Sequence, residues 1–235
     1  MRLRIGRAGA ALFDMDGVLI DTDAAVAALW QRVAAGVGRE LTGDEVRAHV
    51  IGCTPEHTLA KLFSACSAAD QRWLLEQVRA GEPGLDYQPL PGAARLVRAL
   101  AAAGVPLALV TSASAGRATA VTDALGVTGC FTARVTWGDA KHGKPDPEPY
   151  LIAAFRLGVR PADCTVFEDS VNGVRAAVAA GAACIGVDRR VGEGGRAREG
   201  GRAEDGELGP LRDAGAATVV ASLADIEVDR WRDSA

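Results

Sequence analysis

No apolar run in this 235-residue sequence approaches the roughly 20 residues that a helix needs to cross a bilayer, so no membrane-spanning segment is expected. Disulfide frameworks and zinc sites lack their patterns too. The five cysteines, Cys53, Cys66, Cys130, Cys164 and Cys184, are odd in number, widely spaced and without a CxxC pair, which fits a reducing compartment. Histidine is scarce: His49, His57 and His142 form no metal-spaced cluster, and each is read as a surface or core residue. Excess positive charge is also missing, and a net −4 offers no basic face to neutralise the phosphates of a nucleic acid. The start, MRLRIGRAGA, is basic but has no separate apolar region or cleavage site, so an untargeted cytoplasmic protein is expected. What remains is a small-molecule partner, no nucleic acid, no membrane, and a monomer or homodimer.

What is present is a hydrophobic content of 49%, enough for a substantial core. Short apolar, β-branched runs recur at AALFDMD (10–16), LALVTS (107–112), TVFED (165–169), ACIGV (183–187) and TVVAS (218–222). They read as strands buried on both faces. Between them lie segments of helical period, such as AARLVRALAAAG and VNGVRAAVAAG, mostly closed by a Gly suited to a helix C-terminus. Strands alternating with helices predict an α/β class fold, a doubly wound, Rossmann-like parallel sheet with helices on both faces.

The alternation breaks once. From about residue 22 to 86 the pattern is helical only, and the Pro- and Gly-rich GLDYQPLPG then restores the strand-helix rhythm. This predicts a discontinuous α/β core domain (1–18 and 88–235) with a small α-helical cap domain (19–87) inserted. The Gly-rich, mixed-charge stretch 188–209 has nothing to bury and reads as a flexible loop; an RGG-like RNA contact is weakened by Glu193, Glu199, Glu204 and Asp205 among its arginines.

In open α/β sheets, ligands bind at the carboxyl ends of the strands. The first strand ends in Asp14-Met15-Asp16-Gly17, with Asp14 and Asp16 beginning on one side of the chain. Two carboxylates there must be offset by a cation or a shared proton, and a hard divalent ion such as Mg2+ is the natural partner. A later strand ends in Glu168-Asp169, whose side chains start on opposite faces. Asp169 is read as the metal ligand, with Glu168 behind it or acting through water. LVTSAS leads into a helix N-terminus, a ready phosphate site in which Thr111 or Ser112 supplies the hydroxyl. Gly138, Gly143 and Lys144 stand at P-loop spacing, but Pro145 supplies neither the hydroxyl nor the N–H that a P-loop requires at that point. Asp146 is expected to cap a helix that accepts Pro147 and Pro149 in its first turn, leaving Lys144 as a positioned charge.

The segments DMDGV, VTSAS, GKPDP and FEDSVNGV, in this order and spacing, resemble the four motifs of the haloacid dehalogenase superfamily, in its branch of helical-cap phosphatases and phosphomutases. The resemblance spans roughly residues 8 to 187, plus the last strand. It implies that Asp14 attacks phosphorus to form a phosphoaspartate and that Asp16 carries the proton. It also implies that Mg2+ is held by Asp14, the backbone carbonyl of Asp16 and Asp169, with Glu168 nearby, while Lys144, Ser112 or Thr111, and the Ala113 N–H hold the phosphoryl oxygens. The cap loop around Gly52, Thr54, Glu56 and His57 is expected to face the substrate. Hydrolysis of sugar or sugar-alcohol phosphates, as in hexitol and 2-deoxyglucose-6-phosphate phosphatases, is the favoured activity. Phosphoglycolate phosphatase is a further relative, and a β-phosphoglucomutase-like mutase the main competitor. The mutase branch uses a cap histidine and a cap arginine where this sequence has Val26 and Pro55. A binding protein without turnover would have lost a motif residue, and none is lost.

Overall fold

A computed structural model of the chain describes residues 2–3, 9–51, 53–189 and 209–228. Six strands, β1 (Ala10–Phe13), β2 (Leu107–Val110), β3 (Ala133–Val135), β4 (Cys164–Glu168), β5 (Ala183–Val187) and β6 (Thr218–Val220), form one sheet in the order β3-β2-β1-β4-β5-β6, all parallel. This is the doubly wound α/β arrangement expected from the strand-helix alternation. The reversal of strand order beside β1 opens a crevice at the carboxyl ends of β1, β2 and β4.

Period-two alternation divides the buried strands between two cores. Ala11 and Phe13, with Leu107, Leu109 and Phe167, face one side, under α5 (Ala93–Ala102) and α6 (Ala115–Ala124). Ala10 and Leu12, with Ala108, Val110 and Val166, face the other, under α7 (Glu148–Leu157), α8 (Val171–Ala179) and the short α9 (Pro210–Asp213). Every residue of β1 and β2 is fully buried, which explains why these runs are apolar without alternation.

Between β1 and β2 the chain forms α1 (Asp23–Ala35), α2 (Gly43–His49), α3 (Pro55–Leu62) and α4 (Ala68–Gly81). These four pack around a separate cluster that includes Trp30, Val33, Phe63, Leu74 and Val78. Trp30 and Phe63 stack with ring centroids 6.1 Å apart. The chain enters and leaves this helical unit side by side: Ile20–Asp21 pairs antiparallel with Gln88–Pro89. The Gly-rich stretch lies outside the described residues over 190–208, so its loop and RNA readings have no structural counterpart here.

Candidate active site

Asp14 and Asp16 follow β1 directly at the sheet's carboxyl edge, where backbone groups leave the ladder. The N–H of Asp14 still bonds Phe167 O at 3.0 Å, and the turn closes through Gly17 N to Ile20 O at 2.7 Å. Gly17 has φ +85°, and a Cβ there would fall 1.8 Å from Oδ2 of Asp169. The turn therefore needs glycine twice over, for its backbone and for the space that Asp169 occupies.

Lys144 reaches this edge from the loop before α7 and is 6% exposed. Its Nζ donates to Asp14 Oδ1 at 2.5 Å, to Glu168 Oε1 at 2.6 Å and to Val110 O at 3.3 Å. Glu168 is held by many donors: Tyr150 OH at 2.8 Å on Oε1, and the N–H groups of Asp169 and Ser170 with the Ser170 hydroxyl, each at 3.0 Å, on Oε2. Ser170 Oγ also caps α8 by accepting from Gly173 N. Asp169 accepts no hydrogen bond among the described residues.

Two buried carboxylates thus share one ammonium. Burial works against the charge of all three groups. Even so, Asp14 and Glu168 hold Lys144 above its ordinary range, while Lys144, Ser170 and Tyr150 bring Glu168 below the usual carboxylate range. Asp14, with fewer donors, goes the other way: burial pushes it up to about 8, aided by repulsion from Glu168 and Asp16 and opposed by Lys144. Burial likewise raises Asp169 well above its ordinary value, with Glu168 and Asp14 adding to it. The negative charge settles on Glu168; Asp14 has only a share of the Lys144 ammonium, and Asp169 pairs with no cation by hydrogen bond among the described residues.

Carboxylate oxygens of Asp14, Glu168 and Asp169 lie within 4.8 Å of one another. An all-oxygen, electron-rich set with two under-compensated members fits a hard divalent cation. Glu168, already saturated, is the least available of the three.

Asp16 is gripped differently. Thr22 Oγ1 donates to its Oδ1 at 2.6 Å, and Arg117 of α6 places Nη2 2.9 Å from Oδ1 and Nη1 3.3 Å from Oδ2. No motif contains Arg117. Its signal was a charged residue on a helix face otherwise given to Ala118 and Val121. Tyr150 was likewise missed, since a tyrosine in an apolar helix reads as core.

Thr111, Ser112 and Ala113 line the cavity above Asp14. Thr111 Oγ1 accepts from Ala113 N at 3.1 Å, so that N–H, expected to face phosphoryl oxygens, is turned onto its own loop. Asp146 does not occupy the cap position of α7, which is Pro147; its Oδ1 accepts from Glu148 N one residue further on.

The helical unit closes over this edge. Glu82 Oε1 accepts from Ser114 N, the cap of α6, at 2.8 Å, and the Arg79 guanidinium lies 4.1 Å above the Trp137 ring. Arg189 pairs with both Asp21 and Asp23 at the hinge. Of the expected cap contacts, Gly52 lies outside the described residues. Thr54 and Glu56 line a recess next to Lys144, but Thr54 caps α3 and Glu56 pairs with Arg79. His57 lines neither cavity; it sits 5.9 Å from the His49 ring, and burial with His49 holds it below the usual imidazole range.

The model of the haloacid dehalogenase-like hydrolase family matches residues 9–181. The chain is 37% identical over 180 residues to hexitol phosphatase A of Escherichia coli, covering 75% of this chain and 82% of that protein. It is 35% identical to the bifunctional riboflavin kinase/FMN phosphatase of Arabidopsis thaliana over 75% of this chain, and spans 47% of that longer protein. Among solved structures, a HAD family hydrolase from Deinococcus radiodurans with bound phosphate and sodium matches with a TM-score of 0.62 and 32% identity, over 92% of each chain.

Proposed function

The chain belongs to the haloacid dehalogenase-like hydrolases and is a phosphomonoester hydrolase acting on phosphorylated small molecules, and from that premise we propose a Mg2+-dependent phosphatase of sugar or sugar-alcohol phosphates. Asp14 is the nucleophile: its oxygen bonds phosphorus as the bond to the leaving oxygen breaks, giving a phosphoaspartate. Asp16 gives its proton to the leaving oxygen and then takes one from the water that frees Asp14. Lys144 neutralises charge at Asp14 and at the phosphoryl oxygens, with Ser112 beside it. A divalent cation, held by Asp14, Asp169 and the Asp16 carbonyl, would supply positive charge to the transferring phosphoryl group. The helical unit acts as a cap that excludes bulk water during phosphoryl transfer to Asp14 and opens to release the alcohol before water attacks the phosphoaspartate.

One observation carries the choice of leaving group. Each cation lining the cavity over Asp14 already has a carboxylate partner: Lys144 has Asp14 and Glu168, Arg117 has Asp16, and Arg79 has Glu56. Among the described residues none is left for a second phosphate or a carboxylate, which favours an uncharged leaving group over phosphoglycolate. The positions where a mutase needs cationic cap contacts, Val26 and Pro55, line the cavity and carry no charge.

Phosphate release from hexose, pentose, hexitol and glycolate phosphates, with and without chelator, tests the proposal. Neutral sugar or hexitol esters should lead, and chelation should stop turnover. A preference for glycolate phosphate, interconversion of glucose phosphates without release, or activity surviving complete Mg2+ removal would overturn it.

A further inference from the structure

Arg117 sits in the first turn of α6, three residues after the Ser114 cap, and is 6% exposed. A guanidinium buried that deeply needs an anion, because an unpaired charge there would be strongly destabilising. Its anion is Asp16, across 101 residues of sequence, and both Nη atoms are committed to it. Lys144, not Arg117, faces Asp14, whose carboxylate takes the phosphoryl group. Arg117 is therefore built toward the proton carrier rather than the phosphate.

The geometry of the contact is directional. A planar guanidinium fork meeting both oxygens of a carboxylate sets the plane of that carboxylate, which a point charge cannot do. Asp16 needs such a fixture, since it lies in the turn beyond β1, where a single isolated bridge to Ile20 holds its backbone, and its side chain is 28% exposed. Thr22 and Arg117 together give Oδ1 two donors at 2.6 and 2.9 Å, whereas Oδ2 has one at 3.3 Å. One oxygen is an anchor and the other is freer.

Resting on the reading of Asp16 as proton carrier, we infer that Arg117 is a positioning residue, which orients the Asp16 carboxylate so that its freer oxygen, Oδ2, passes the proton. In the first step the P–O bond to the leaving group breaks as the Asp14–P bond forms, and the leaving oxygen receives the proton of Asp16. In the second, water attacks phosphorus, the Asp14–P bond breaks, and the proton from water returns to Asp16. Misorientation of Asp16 slows the first step only where the leaving oxygen needs a proton.

That condition supplies the test. Log kcat/KM is measured against leaving-group basicity for substituted phenyl phosphates of similar size, from 4-nitrophenyl to phenyl, for the wild type, Asp16→Asn, Arg117→Met and Arg117→Lys. In Arg117→Met the line should steepen as in Asp16→Asn, with a loss of about 100-fold for phenyl phosphate and under about threefold for the nitrophenyl ester. Arg117→Lys, which keeps the charge and most of the volume but loses the fork, should give an intermediate slope. Equal slowing of every ester would indicate a substrate contact or a loss of folded enzyme and would overturn the inference, as would a wild-type slope in either Arg117 variant. An unchanged slope in Asp16→Asn would instead remove the proton-carrier reading itself.

Discussion

A Cβ on Gly173 would lie 1.8 Å from Oε1 of Glu168, so the Glu168 carboxylate occupies the space of an absent side chain in the first turn of α8. That seat aligns Glu168 with Lys144, Tyr150 and the backbone of Asp169 and Ser170. Gly173→Ala must evict the carboxylate and leave Lys144 with Asp14 alone. The expected outcome is a turnover loss of at least about tenfold and a destabilisation of about 2–4 kcal/mol. Steady-state kinetics and urea unfolding check it, and wild-type values in both would show that Glu168 has another seat.

Lys144→Met removes the ammonium that two buried carboxylates share. Turnover should vanish and stability at neutral pH should fall by about 3–5 kcal/mol. Glu168→Gln added to Lys144→Met should recover part of that stability without recovering turnover, because one stranded charge is gone. A double-mutant cycle in denaturant measures the coupling, and strictly additive losses would contradict a shared charge cluster.

Asp169 tests the cation. Its half-buried carboxylate is raised well above the ordinary range and has no donor among the described residues, so a bound divalent ion should relieve it. Mg2+ should raise the melting temperature of the wild type, growing with the logarithm of concentration above Kd. Asp169→Asn and Gly17→Ala should abolish the shift, the first by removing a ligand, the second because its Cβ collides with Oδ2 of Asp169. A Mg2+-dependent shift of wild-type size in Asp169→Asn would remove that residue from the ligand set.

The sheet was legible because β1 and β2 are buried on both faces and must be apolar throughout, and the helical unit because 3.6-residue periodicity ran on without a strand. Asp14 and Asp169 stood out because charges at the ends of such strands demand compensation, and Lys144 because Pro145 and the turn before α7 fix it. The opposite starting directions of Glu168 and Asp169 separated their roles in outline: Glu168 turns to Lys144, and Asp169 to Gly17. Partners far apart in sequence were not legible. Nothing local links Arg117 to Asp16, Tyr150 to Glu168 or Glu82 to Ser114. Thr54 illustrates the converse: its hydroxyl serves its own helix as a cap, a local role that a search for substrate contacts overlooks.

Asp139 fixes the loop after β3. It accepts from Thr136 N and Oγ1 and from Arg156, and the Arg156 hydrogen bond, with those from Thr136, lowers its pKa to about 2. A depressed carboxylate stabilises the fold above its unfolded value of about 3.9, and the gain is lost as pH falls through the folded value. Asp139→Asn should cost on the order of 1 kcal/mol at neutral pH, discounted for the group's partial exposure. The gap to wild type should close between about pH 4 and pH 2. Urea midpoints across that range check the sign; a gap that widened toward acid would refute the assignment.

Closure of the helical unit has its own signed test in Glu82. Its carboxylate accepts from Ser114 N and is raised above the ordinary range, first by burial, with Asp16 adding to the effect while Ser114 and Arg117 oppose it. A raised carboxylate disfavours the closed arrangement once ionised, so closure is favoured below the ordinary glutamate value and weakens as pH rises through the raised one. Glu82→Gln keeps an acceptor for Ser114 without the desolvated charge and should favour closure. Glu82→Ala removes the acceptor and should favour opening, and Trp137→Ala adds to it by deleting the Arg79 stack. Each contact is worth about 1 kcal/mol, so the double alanine variant should shift the closed-to-open ratio by roughly tenfold or more. Amide exchange at Ser114 reads this directly: faster in Glu82→Ala, slower in Glu82→Gln, and fastest in the double variant. Identical exchange in all of them would show that the contacts contribute nothing to closure.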